Sequence, residues 1–445
     1  MAVIAAVYTA YLFSRPLRAS APLQYAPSKV LFGAAGFALL FVFLLERHDA
    51  YRPWVSLLAI RETERVLRVT LQAFLLALLA FYGCAIRFPR LVFGCALVAV
   101  PAFLTLEKWE MHRLVRGLRS RGHGTRKAVI FGTGGSAKRI YSALLRSPEF
   151  GVDPVALVDD GLQDPSAKIY ESCYRRRQPA KVIPGPLCPE LFRQLDASVL
   201  IIASSAMDRA CTLQAAAKAS AAGVHTYFVP EDLVESGDWV DYAELDGIML
   251  AHFAKDRARL VYDTGKRLLD LILSTSLLAL FAPLFVAIAG LVKWTSSGPV
   301  LFRQDRVGQA GRVFAIYKFR TMYRDAPTYG YSPRAGEDPR ITGIGRFLRR
   351  TSLDELPQLI NVFRGKMSLV GPRPEMPFIV QQYTAWQRQR LAVKPGITGL
   401  WQLSADRAFL IHENMEYDLY YTRHRSLFMD VAILLHTFLF AARGV

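Results

Sequence analysis

The stretch Thr351–Pro374, TSLDELPQLINVFRGKMSLVGPRP, sets two adjacent carboxylates, Asp354 and Glu355, among the cations Arg349, Arg350, Arg364, Lys366 and Arg373. Two proline-bearing turns bound it, at Pro357 and at Gly371-Pro372-Arg373-Pro374. Acids beside fixed cations suit phosphate chemistry. A carboxylate can hold a divalent metal or attack phosphorus, and an arginine fork neutralises phosphate oxygens. The same residues also fit a structural role: Ser352-x-x-Glu355 matches a capping box, with Asp354 near the positive end of a helix. On these residues alone the two readings weigh equally.

The chain around this stretch is long and apolar. Its 445 residues leave room for two or three domains, 52% of them are hydrophobic, and the net charge is +18. The apolar residues are bunched, which points to membrane segments. No zinc-finger spacing or RNA-binding aromatic signature accompanies the charge, so anionic headgroups and phosphorylated substrates account for it better than nucleic acid does. The five cysteines form no C-x-x-C pair, and neither a disulfide framework nor a zinc site is indicated.

Four apolar runs occupy residues 1–108: Ala2–Phe13, Val30–Leu45, Val66–Ile86 and Leu91–Leu106. The segment between the second and third carries Arg47, Arg52, Arg61 and Arg65, with Arg68 at the start of the third. The segment after the fourth, a basic linker over 109–126, carries Arg113, Arg116, Arg119, Arg121 and Arg126. The positive-inside rule puts both on the cytoplasmic side, with an even number of crossings. From 127 to about 250 the pattern changes to alternating strands and helices. Strands are expected at Lys127–Phe131, Val155–Val158, Ser198–Ala203 and His225–Val229, with a helix over Arg209–Ala222, giving a parallel α/β sheet. Gly132-x-Gly134-x-x-Ala137 after the first strand, with Asp159 and Asp160 ending the second, fits a dinucleotide fingerprint. Gly132, Gly134 and Asp159 are the candidate nucleotide-binding residues of this Rossmann-like domain. A Tyr262-x-x-x-Lys266 pair, which a nucleotide-sugar oxidoreductase needs, lies beyond the α/β unit and reads as chance.

After a linker over 251–265, residues 266–294 hold roughly 22 uncharged residues between Asp270 and Lys293, with cations on both flanks and Pro283 in the middle. Both flanks ask to be cytoplasmic, and the proline favours a break. A re-entrant helix–break–helix is expected, entering one leaflet and returning. A helix is expected around Pro377–Lys394, its Tyr383 and Trp386 fitting a membrane surface or a core equally well. The last run, Leu427–Ala442, reads as a surface-lying or buried helix.

Four motifs in order, KFRTM (Lys318–Met322), TSLDELPQL, SLVGPRPE and KPGITGLWQ (Lys394–Gln402), resemble those of the bacterial sugar transferases, the polyprenyl-phosphate hexose-1-phosphate or monotopic phosphoglycosyl transferases. The resemblance covers roughly Lys266–Val445. It implies transfer of a hexose-1-phosphate from a UDP-sugar to undecaprenyl phosphate at the inner membrane. Asp354 would attack the β-phosphate, UMP would leave, and the lipid phosphate would resolve the phosphosugar-aspartate. Mg²⁺ is the implied cofactor, at Asp354 and Glu355, and Glu355 would serve as metal ligand or in proton transfer. Lys318, Arg320, Arg349 and Arg373 match the family's phosphate-binding cations. The family commonly has Gly-Arg after the WQ pair. Here Asp406 takes the arginine position and Arg407 follows, so Arg407 is the substitute contact. Large members imply a homodimer. The expected fold is therefore a membrane helical bundle, a Rossmann-like α/β domain and a mixed, mainly α catalytic domain over 266–445. The alternatives are a tethered NAD-dependent nucleotide-sugar epimerase or dehydratase and a non-catalytic polysaccharide-export scaffold.

Overall fold

The computed structural model describes residues 1–14, 27–48, 59–84, 90–146, 148–159, 181–203, 209–228, 239–245, 248–254, 260–324, 338–404 and 415–441. They fall into two compact units, Met1–Ala254 and Lys255–Val445.

The first unit opens with helices α1 (Ala2–Ser14), α2 (Pro27–Arg47), α3 (Ala59–Gly83) and α4 (Arg90–Ser120). They share a core of small and branched residues, among them Ala6, Phe41, Val69, Ala73 and Val100. The rings of Phe37, Phe74 and Phe93 interlock edge to face within it. Helices α2, α3 and α4 are long and apolar enough to cross a membrane. At 13 residues, α1 rises about 20 Å, short of a hydrocarbon core of about 30 Å. Helix α4 continues through most of the stretch read as a basic linker, because Lys, Arg, Glu and Met are strong helix formers. Its Lys108 donates to Glu62 of α3 at 2.6 Å, so charged ends of these two helices meet at the same end of the bundle.

The sheet follows: β1 (Arg126–Phe131), α5 (Gly135–Arg146), β2 (Val152–Asp159), β3 (Lys181–Pro184), α6 (Pro189–Gln194), β4 (Ala197–Ile202), α7 (Arg209–Ala221) and β5 (His225–Phe228). The five strands are parallel, in the order β3-β2-β1-β4-β5. Strand β1 is central and the winding reverses beside it, as in doubly wound folds. Strand β3 escaped the sequence reading because it is a four-residue edge strand ending in proline, without the apolar run of its neighbours. A hairpin of β6 (Trp239–Leu245) and β7 (Ile248–Ala254) ends the unit, past residue 250.

In the second unit α8 (Leu260–Leu280) and α9 (Ala282–Thr295) are bent from one another by 60°. Helix α8 begins inside the stretch read as linker, where Tyr262 and Lys266 both donate to the buried Asp430 carboxylate, at 2.9 and 3.0 Å. That bonding also accounts for the Tyr-x-x-x-Lys pair. Pro283 lies in the first turn of α9, where it has no N–H to offer a preceding carbonyl and the first helix stops. The antiparallel hairpin β8 (Leu301–Val307) and β9 (Val313–Phe319) leads to α10 (Gly343–Arg350), which Thr342 caps by accepting from Gly345 N at 2.9 Å. Then come α11 (Gln358–Phe363) and β10 (Ser368–Val370).

The helix expected over Pro377–Lys394 is instead divided into α12 (Pro377–Gln381) and α13 (Ala385–Arg388), because Thr384 and Gln387 form a capping box that starts the second. Tyr383 is buried and Trp386 packs beside it on Val307, Met376 and Met415, so both aromatics are core residues. Strand β11 (Gly396–Thr398) pairs in parallel with β10, and α14 (Leu400–Leu403), α15 (Glu416–His424) and α16 (Leu427–Ala441) complete the unit. Helix α16 buries Met429, Asp430, Ala432 and Ile433 and exposes Leu435, Phe438 and Leu439.

The two short strands meet through glycine. A Cβ on Gly396 would lie 2.1 Å from the Gly371 amide nitrogen, whereas one on Gly343 would meet nothing within 4 Å. Gly396→Ala should therefore cost at least about 2 kcal/mol through overpacking against backbone. Thermal unfolding in detergent should show a clear fall in midpoint for Gly396→Ala and little change for Gly343→Ala.

Candidate active site

The turn that carries the two acids is tight. Ser352 has a φ of 57°, and Leu353–Glu355 form a 3₁₀ turn. Ser352 makes no side-chain cap, so the capping-box reading is not realised. Glu355 turns instead to cations brought from two other places in the chain. Its Oε1 accepts from Lys318 Nζ at 2.6 Å and from Arg373 Nη2 at 2.7 Å, and its Oε2 from Arg373 Nη1 at 3.4 Å. Pairing of Phe302 with Lys318 in the β8–β9 hairpin fixes Lys318. Arg373 sits in the Gly-Pro-Arg-Pro turn after β10.

Asp354 is buried at 8% exposure and makes no hydrogen bond or ion pair to the described residues. The fields of Lys318, Glu355, Arg349 and Arg373 all reach it. Burial pushes its pKa up and Glu355 adds to this, while the three cations oppose both. Burial would also raise Glu355, but Arg373 and Lys318 outweigh it and hold that carboxyl far below the usual range. The two neighbours are thus driven apart: Glu355 is a fixed, compensated anion, and Asp354 a desolvated carboxyl with no hydrogen-bond partner among the described residues. Arg349, in the last turn of α10, is held by its Nε donating to Thr321 Oγ1 at 2.8 Å and faces Asp354.

Arg320 stands apart from this group. It is 7% exposed and donates to the Ser296 carbonyl and hydroxyl at the end of α9, both at 2.7 Å. Its placement fits an anchor for the α9 C-terminus. Arg407 and Asp406 lie outside the described residues. In the first unit Gly132, Gly134 and Asp159 come together at the carboxyl ends of β1 and β2. Gly132 has a φ of 110° and donates to the Val158 carbonyl at 2.8 Å. The Asp159 carboxylate accepts from the Thr133 hydroxyl of the same turn.

Several residues that hold the site were missed. Asp270 of α8 is buried and accepts from Ser368 Oγ at 3.1 Å and Leu369 N at 3.0 Å. The Tyr421 hydroxyl donates to Asp430 at 2.7 Å and lies 3.2 Å from the Val370 carbonyl. Arg267 closes α11 by donating to the Val362 and Phe363 carbonyls, both at 2.8 Å. A charged residue within or beside an apolar run was the available signal, since such a group is retained only where it has a partner.

No group of three or more His, Cys, Asp or Glu side chains that could hold a metal occurs among the described residues. That excludes an all-protein cage there but suits Mg²⁺, which binds one or two carboxylates and takes its remaining ligands from phosphate and water. The open oxygens of Asp354, and Glu355 Oε2 with its single long contact, fit that pattern.

Residues 261–444 match the bacterial sugar transferase family and residues 46–183 match a CoA-binding domain. The chain is 29% identical over 418 residues to undecaprenyl-phosphate galactose phosphotransferase of Salmonella typhimurium, covering 88% of this chain and 82% of that protein. It is 41% identical over 189 residues to a UDP-glucose:undecaprenyl-phosphate glucose-1-phosphate transferase of Caulobacter vibrioides, covering 40% of this chain and 70% of the relative. Against the exopolysaccharide production protein ExoY of Rhizobium meliloti it is 37% identical over 188 residues, covering 39% and 83%. For several longer relatives the match covers only 39% to 43% of their length. The chain belongs to the bacterial sugar transferase family, and it is an enzyme with membrane-length helices.

The opposite shifts of the two acids carry opposite stability consequences. A carboxyl raised by burial destabilises the fold once ionised, so Asp354→Asn should raise the thermal midpoint at neutral pH. A depressed carboxyl stabilises above its ordinary value of 4.5, and that stability is lost as pH falls below it. Glu355→Gln should therefore lower the midpoint at neutral pH, and the gap from wild type should narrow on acidification below pH ~4.5. Unfolding curves in chelator check both signs.

Proposed function

We propose that this enzyme transfers a hexose-1-phosphate from a UDP-sugar to undecaprenyl phosphate, as the first membrane step of an exopolysaccharide, capsule or O-antigen. The observation that carries the reading is the split carboxylate pair. Glu355 is clamped between Lys318 and Arg373, and Asp354 is left desolvated and open within reach of their field and that of Arg349. In the first half-reaction an Asp354 oxygen forms a bond to the β-phosphorus while the phosphoanhydride bond to the α-phosphate breaks, releasing UMP. In the second, an undecaprenyl phosphate oxygen attacks the same phosphorus and the aspartyl bond breaks, regenerating the carboxylate. Splitting the transfer in two lets a soluble donor and a lipid acceptor use one site in turn. Lys318, Arg349 and Arg373 offset phosphate charge. Asp354 and Glu355 are the residues that would hold Mg²⁺, which would supply further neutralisation of phosphate charge.

The site belongs on the cytoplasmic face of the inner membrane in this reading, and the bent helix pair is re-entrant. Support comes from both of its flanks. The start of α8 is bonded to α11, β10 and α16 through Arg267, Asp270 and Lys266. The end of α9 is bonded to Arg320 and packs Ile288 and Val292 on Phe319 and Leu348. Two ends that dock on one compact unit support a segment that enters and leaves the bilayer on the same side. The long relative that aligns with 88% of the chain leaves little room for the epimerase reading.

Incubating wild type with Mg²⁺ and a panel of UDP-sugars, without lipid, should add a hexose-phosphate mass that Asp354→Asn lacks; an equal adduct on the variant would rule out Asp354 as nucleophile. In a background lacking the native cysteines, single cysteines at Asp263 and Thr295, both exposed, should be protected together from an impermeant thiol reagent outside intact cells. Labelling of one alone would mean a spanning helix.

A further inference from the structure

The Gly371–Pro374 turn has an unusual supply problem. Pro372 and Pro374 have no N–H, so the turn depends on donors that come to its carbonyls. Gly396 N reaches the Pro372 carbonyl at 2.9 Å and Arg306 Nη1 the Pro374 carbonyl at 3.3 Å. The carbonyl of Arg373 itself accepts from Arg390 Nη2 at 2.7 Å. Arg390 lies outside every motif quoted from the sequence and is 3% exposed. The same Nη2 donates to Asp418 Oδ2 at 2.5 Å, and Nη1 donates to the Tyr383 hydroxyl at 2.6 Å, which in turn donates to Glu375 Oε2 at 2.7 Å.

A buried ion pair between Arg390 and Asp418 gives a fold little net stability after desolvation. What this pair adds is position: one planar fork ties α15, the Tyr383 ring and the peptide of Arg373 together. Lysine has a single ammonium on a flexible stem and cannot meet those three acceptors in one geometry. We propose that Arg390 is a positioning residue for the transfer reaction. Held by Asp418 and Tyr383, it fixes the Arg373 peptide, and so fixes the guanidinium that clamps Glu355. This rests on the transferase reading.

The test is a double-mutant cycle on full-length protein, following UMP release with UDP-sugar and undecaprenyl phosphate, with thermal midpoints measured alongside. Arg390→Lys keeps the charge opposite Asp418 but loses the fork, and should cut turnover on the order of tenfold or more while the protein stays folded. In an Arg373→Lys background, where the guanidinium to be positioned is already gone, the same change should cost less than about twofold. Losses that multiply in full would overturn the proposal, as would undiminished turnover in Arg390→Lys. Should Arg390→Lys fail to fold, Tyr383→Phe leaves the Asp418 pair in place and carries the same cycle, with a few-fold loss expected that vanishes beside Arg373→Lys. A wild type without turnover on any UDP-sugar would remove the transferase reading and this inference with it.

Discussion

The structure of the transferase unit depends on the cost of burying charge. Moving a carboxylate out of water costs several kcal/mol unless cations and hydrogen bonds replace the solvent. Glu355 meets that cost with Lys318 and Arg373, and these come from elements that the chain must bring together from 37 residues before and 18 residues after it. The β8–β9 hairpin and the β10–β11 pair are the means of doing so. Asp354 is placed beside this compensated centre without a hydrogen bond or ion pair to the described residues, so among them it has the field but not the quenching contact. An acid in that condition is costly to keep, which is the usual relation between a functional site and its scaffold.

The same economy explains why polar groups reach into apolar helices. Asp270, Lys266 and Asp430 sit in or beside apolar stretches, and each is bonded to the backbone of this unit or to its neighbours. Such groups tie α8 and α16 to one end of the catalytic unit, and Arg320 ties α9 to another part of it. Exposed apolar side chains run along the pair on both sides of the break, among them Leu268, Ile272, Leu280 and Val286. The distribution of polar anchors, more than the length of the apolar run, therefore bears on how this helix pair meets a bilayer.

What could be read in advance follows from how local each signal is. The sheet was legible because β1 and β4 are short apolar runs with turn residues at their ends. β3 was not, because an edge strand buries little and needs no pattern. The Asp354–Glu355 pair stood out by composition, yet its bland reading, a capping box, could be dismissed only by the left-handed Ser352 and the turning of Glu355 toward Lys318 and Arg373. Arg320 shows the limit in the other direction: it belongs to a quoted motif, and its hydrogen bonds go to Ser296. Arg390 and Asp418 carried no local signal, since their meaning lies in a 28-residue separation that only folding closes.

Two of the three cations around the acids are constrained by backbone that has few ways to relax. Lys318 is set by strand register, and a one-residue slip would turn it to the other face of the hairpin. Arg373 is set between two prolines, in a turn so closely applied to β11 that neither Gly371 nor Gly396 tolerates a Cβ. Arg349 differs: it lies in the last turn of a helix, and among the described residues one hydrogen bond, to Thr321, orients it. The transfer proposed above would need fixed charge at the reacting phosphorus and some freedom at the edge of the site. The rigid pair on Glu355 and the more lightly held Arg349 divide those two demands between them.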